Sequence, residues 1–214
     1  MAGSLTRDAF SGPPAPPIEG GWGNGGGDSS DGRGWARGAS FTGLYVLLAA
    51  STMMFAAFTS AMVVRRGLSD DWVSLHKPSI LWVNTGILLA SSAMLELARR
   101  ALRHHNRSRF NIWWTAGTVL GLLFLGGQTL AWIQLRAAGV YVATNPSGAF
   151  FYILTACHAA HLAGGVTALL YVDVQALRLR LGPAKRTAID ISTLFWHFLD
   201  GLWLYLMLLF YVWG

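Results

Sequence analysis

Five stretches of this chain, residues 41–64, 79–97, 112–135, 149–177 and 188–213, are predominantly apolar and about twenty residues or longer, with polar and largely basic segments between them. A helix of about 20 such residues crosses roughly 30 Å of hydrocarbon at 1.5 Å per residue. The pattern therefore predicts an all-α, polytopic membrane bundle of five transmembrane helices over residues 41–214. Composition agrees: 53% of residues are hydrophobic and 12% charged, against about 25% charged in soluble domains.

The basic residues are unevenly shared between the two sides. Twelve of the sixteen lie in the N-terminal segment (Arg7, Arg33, Arg37), the second loop (Arg99, Arg100, Arg103, Arg107, Arg109) and the fourth loop (Arg178, Arg180, Lys185, Arg186). Arg65, Arg66, Lys77 and Arg136 fall on the other side. Positive loops stay in the cytoplasm, so the N-terminus is expected inside and the C-terminus outside. The net charge of +6 comes from these loops rather than from a folded basic domain, and nucleic acid is not an expected partner.

Residues 1–40 contain eleven of the 25 glycines and four of the seven prolines. Such a stretch buries too little apolar surface to offset its ordering entropy, and is expected to be a disordered or extended cytoplasmic tail. It has no apolar run with a small-residue cleavage site, so the first span is expected to direct insertion itself. A single cysteine, Cys157, excludes an intrachain disulfide framework and a cysteine-based zinc site.

Trp72, Trp82, Trp113, Trp114, Tyr141, Tyr211 and Trp213 lie near proposed span ends, where amphipathic rings suit the interface. Gly117 and Gly121, and more weakly Ala160 and Gly164, have the small-xxx-small spacing that lets helices approach closely.

Ionisable groups at membrane depth are costly and usually face a partner or a cavity. Glu96 precedes Arg99 and Arg100 at i+3 and i+4, the spacing of local ion pairs. His158 and His161 share one face of the fourth span, and His197 and Asp200 repeat that spacing in the fifth. If the two spans pack together, these four form one polar cluster with an aspartate orienting an imidazole. Asp173 is expected to pair with the fourth loop, and Asp190 to be interfacial. Histidines so placed could in principle ligate a metal or a haem, but hydrogen bonding between helices or to lipid headgroups is the leading reading. No metal site, catalytic residue or cofactor site is assigned to the chain, since no catalytic triad order, phosphate loop or dinucleotide motif is recognisable.

Three runs together carry a family resemblance. They are Leu81-Trp82-Val83-Asn84-Thr85-Gly86 and onward in the second span, Asn145-Pro146-Ser147-Gly148 leading to His158-Ala159-Ala160-His161 in the fourth, and Phe195-Trp196-His197-Phe198-Leu199-Asp200-Gly201 in the fifth. In this order the chain from about residue 40 onward resembles subunit III of haem-copper terminal oxidases, in the short five-helix bacterial form of the cytochrome c oxidase subunit III family. One departure stands out. Where members often carry a buried glutamate in a pattern like Ser-Glu-Thr-Met-x-Phe, this chain reads Ala50-Ser51-Thr52-Met53-Met54-Phe55. A role for that carboxylate does not carry over.

The resemblance implies a non-catalytic accessory subunit in a bacterial inner membrane, packed on subunit I, with subunit II and other respiratory complexes as further partners. It implies haem and copper on the partner subunits, bound phospholipid, and support of assembly and proton-coupled oxygen reduction. His158, His161, His197, Asp200 and Glu96 then become candidates for interhelix polar contacts and lipid-headgroup binding. The equivalent subunit of a quinol oxidase or nitric oxide reductase remains open, as does a membrane b-type cytochrome using His158 or His161 with His197. A small transporter is a further alternative.

Overall fold

The computed structural model describes residues 29–68, 80–137, 146–178 and 183–213, and these are all helical apart from short turns. The five helices are α1 (Ser29–Leu68), α2 (Ile80–Arg103), α3 (Arg107–Ala137), α4 (Pro146–Leu177) and α5 (Pro183–Trp213). Each is long and apolar enough to cross a membrane, as expected. At α2, α3 and α5 the helix runs past the apolar stretch into arginine-bearing segments, which are good helix formers and continue it beyond the hydrocarbon. The first helix begins at Ser29, inside the stretch read as tail; residues 1–28 of that tail, with Trp72, Lys77 and Tyr141, lie outside the described residues.

Helices α2, α3, α4 and α5 form a closed ring in which each packs on the next and α5 returns to α2. Helix α1 stands outside it, against α5 and α4. Its inward residues Leu44, Ser51, Phe55 and Met62 recur at the near-seven spacing of a single packed seam. The Tyr205 hydroxyl, donating to Thr59 Oγ1 at 3.0 Å, ties α1 to α5.

The α2–α3 connection is a compact turn. Asn106 N–H bonds to Ala101 C=O at 3.0 Å and His105 N–H to Leu102 C=O at 3.1 Å, the paired bonds of a Schellman cap. His105 occupies the left-handed position that such a cap requires, at φ 57°. Asn106 then caps α3, its Oδ1 accepting Arg109 N–H at 3.2 Å.

Small residues and tryptophans set the spacing inside the ring. Gly117 admits Leu95 of α2, and its carbonyl accepts the Ser91 hydroxyl at 2.8 Å. Gly121, one turn on, admits the ring of Trp196 from α5. The two glycines thus serve two different neighbours. The weaker pair does not behave as expected: Ala160 and Gly164 are exposed, and it is Gly165 that meets Trp196 and Leu199. Trp114 is also not interfacial. It is fully buried and donates Nε1–H to Leu169 C=O at 3.1 Å, whereas Trp82 and Tyr211 remain exposed.

Candidate functional site

The end of the bundle that carries the α2–α3 turn holds a charged cavity of about 390 Å³. Arg99 and Arg103 of α2 line it together with Arg186, Asp190 and His197 of α5, and Phe41 of α1 and Leu194 give it an apolar wall. Arg99 organises the rim. One guanidinium nitrogen donates to Glu96 at 3.2 Å and another to Asp190 at 3.4 Å, so a single side chain links α2 to α5. Arg100 donates to the other Glu96 oxygen at 3.4 Å. The local pairing expected of Glu96 is therefore present, and Asp190, read from sequence as merely interfacial, is its interhelix extension.

Below the rim, His197 joins α5 to α2. Its Nδ1 hydrogen-bonds the Ser92 hydroxyl and lies 3.8 Å from Asp200 Oδ2, one turn along α5. Asp200 is buried, and neither carboxylate oxygen has a hydrogen-bond partner among the described residues. Ser, His and Asp side by side suggest a nucleophile relay, but the geometry is wrong for one. A relay places serine and carboxylate on opposite ring nitrogens, and here both approach Nδ1. This trio can hold two helices together and offer polarity to the cavity floor; it cannot pass a serine proton through the imidazole to the carboxylate.

The other two histidines have separate surroundings. His161 Nδ1–H donates to Cys157 C=O of its own helix at 2.8 Å, and its ring meets Phe55 of α1 edge-on at 5.7 Å. His158 is fully buried, with Trp203 5.1 Å away on α5 and Phe124 6.3 Å away on α3. No hydrogen bond, ion pair or ring contact among the described residues joins His158 or His161 to the His197–Asp200 pair. The single four-residue cluster is thus two sites, because the i, i+3 spacing fixes a face but not which neighbour that face meets.

This separation bears on the alternatives. A haem ligated by His158 would have to displace both aromatic rings that cover it. Among the described residues no group of three or more His, Cys, Asp or Glu is placed to hold a metal ion. Asp173 accepts a hydrogen bond from Thr115 of α3 at 2.7 Å, a partner the sequence did not suggest. Ser51 is buried on the α1 seam and returns its hydroxyl to Leu47 C=O at 2.8 Å.

With this architecture in place, comparison with known proteins is decisive. The profile of the family "Cytochrome c oxidase subunit III" matches residues 38–214. The chain belongs to the cytochrome c oxidase subunit III family. Cytochrome c oxidase subunit 3 of Thermostichus vulcanus is 29% identical over 177 residues, covering 79% of this chain and 85% of that protein. The protein of the same name from Corynebacterium diphtheriae is 28% identical over 176 residues, with 79% and 85% covered. The one from Synechocystis sp. is 27% identical over 177 residues, with 79% and 74% covered. The match to this subunit III family begins at residue 38, within α1, and takes in every ring helix.

Proposed function

We propose that this oxidase subunit III is an accessory subunit without a redox centre of its own, packed on subunit I beside subunit II in a bacterial inner membrane. It holds phospholipid and supports assembly and proton-coupled oxygen reduction, while haem and copper reside on the partner subunits. The threefold excess of Arg and Lys on one side supports an N-terminus in the cytoplasm and a C-terminus outside.

The observation that carries the lipid reading is the basic cavity. Arg103 and Arg186 stand beside Arg99, whose charge Glu96 and Asp190 already engage, and the wall that begins with Phe41 is apolar. A phosphate suits the arginine fork and an acyl chain suits the wall. His197 supplies a polar group to the cavity lining, with Asp200 buried behind it.

The test is to tag the chain, extract it from native membrane in mild detergent, and identify the co-purifying subunits and lipids by mass spectrometry, with a reduced-minus-oxidised spectrum. Haem-copper subunits with oxidase activity are expected, together with phospholipid that the Arg103→Ala, Arg186→Ala double variant loses. A chain that purifies alone with its own haem overturns the accessory reading. Unchanged lipid in the double variant overturns the lipid site.

A further inference from the structure

Far from the basic cavity, five polar atoms at one level of the helix ring have no hydrogen-bond partner among the described residues. They are Asn84 Nδ2 on α2, Gln128 Oε1 and Nε2 on α3, and His158 Nδ1 and Nε2 on α4. The three residues are 2%, 1% and 0% exposed. Inside a bilayer no outside water reaches such groups, and leaving them dry carries a heavy desolvation penalty.

The surrounding contacts fix where these side chains meet. Phe124, one turn before Gln128, presents its edge to His158. Trp132, one turn after Gln128, donates to Thr155 Oγ1 at 3.2 Å, and Thr155 is one turn before His158. Gln128 therefore lies on the face of α3 that looks at the Thr155–His158 turn of α4. The Asn84 amide presses on α3 at Gly127, where a side chain would collide with it, next to Gln128 in sequence. Trp203 covers His158 and donates to Thr85, the neighbour of Asn84, at 3.0 Å.

We infer that this layer is an internal hydration site, in which ordered water between α2, α3 and α4 bridges Gln128 to His158 and to Asn84. The chemistry fits water. Two amide NH2 groups and one imidazole N–H donate, while the Gln128 carbonyl and the second imidazole nitrogen accept, and water supplies both roles. A cation would find few lone pairs among so many N–H donors. The layer is polar inside and sealed by Phe124 and Trp203, so the water is a structural part of the bundle.

Two measurements on the intact oxidase complex test this. Gln128→Leu and His158→Phe are each expected to lower the unfolding temperature by about 2–4 °C, because each strands the bridging water and the group at its other end. The Q128L/H158F double variant removes both ends of the Gln128–His158 bridge and leaves only Asn84 in the layer, so it is expected to recover part of the loss. In a dry core each single variant would delete an unpaired polar group and leave stability unchanged or raised, which overturns the inference. A double variant no better than the singles overturns it too. Independently, a cryo-EM map of the wild-type complex that resolves waters should show density between Gln128 and His158, and an empty gap or a direct contact between them refutes the bridge.

Discussion

Replacing Gly121 with alanine would drive a methyl group into the most crowded crossing of the helix ring. The added Cβ would lie 2.6 Å from Trp196 Cη2 and 2.9 Å from Cζ2, where ordinary carbon contacts sit at about 3.5–4.0 Å. The deficit is about 1 Å, and the indole has nowhere to turn. Trp196 is fully buried, and its ring also lies against Gly165 of α4, where an added Cβ would stand only 3.3 Å from Cε3. Helices α3 and α5 must therefore separate. Overpacking of this kind costs about 1–3 kcal/mol, against a helix-propensity gain of up to about 1 kcal/mol for replacing glycine with alanine. Gly126 supplies the control, since it lies on the same helix with nothing within 4 Å of its would-be Cβ. Both variants share the propensity gain, so the difference between them isolates the crowding, and G121A should be less stable than G126A by about 1–3 kcal/mol. Denaturant or thermal unfolding of the two purified proteins in the same detergent measures it. Equal stability would refute the reasoning.

Other outcomes can be stated more briefly. Trp203→Phe keeps an aromatic ring of smaller size but removes the buried bond to Thr85, whose hydroxyl still donates to Leu81 C=O at 2.8 Å. A loss of about 1 kcal/mol is expected in the same unfolding assay, and no loss would show that the bond is idle. His105→Gly relieves a histidine held at positive φ in the α2–α3 turn and should stabilise the protein by up to about 1 kcal/mol; a lower melting temperature would mean that the imidazole is needed there. His197→Leu or Asp200→Leu should weaken subunit retention or lipid content while leaving the haem spectrum of the complex unchanged. A shifted spectrum with normal assembly and lipid would contradict that assignment.

The five helices were legible because hydrocarbon thickness sets the length of each apolar run, and the structure adds extensions at their ends that length alone cannot reveal, including the start of α1 at Ser29. Glu96 with Arg99 and Arg100 was equally readable, since the pairing is local to one helix turn. What stayed hidden was every contact that depends on which helix comes next. Ser92 as partner of His197, Asp190 as partner of Arg99 and Thr115 as partner of Asp173 all cross between helices, and no spacing within one segment encodes them. The separation of His158 from His197 has the same origin. Gln128 was passed over and Asn84 was read only as part of a family run, because uncharged amides blend into an apolar stretch, although amides at membrane depth are themselves a signal of internal polarity.

The position of α1 outside the ring has a consequence for biosynthesis. It is made first, yet the two helices it packs against, α4 and α5, are made last. From the moment it enters the bilayer until α4 and α5 are made, neither of the helices it packs against within the chain is present. Its most apolar window exceeds that of every other helix, and its one seam of inward residues carries no ionisable group, so the wait carries little penalty. The ring, by contrast, can begin with α2 and α3, whose tight turn makes them neighbours as soon as both are inserted. Assembly order then runs against chain order: the N-terminal helix is the last to dock, and a shortfall in α4 or α5 would strand it in the membrane as an isolated, intact helix.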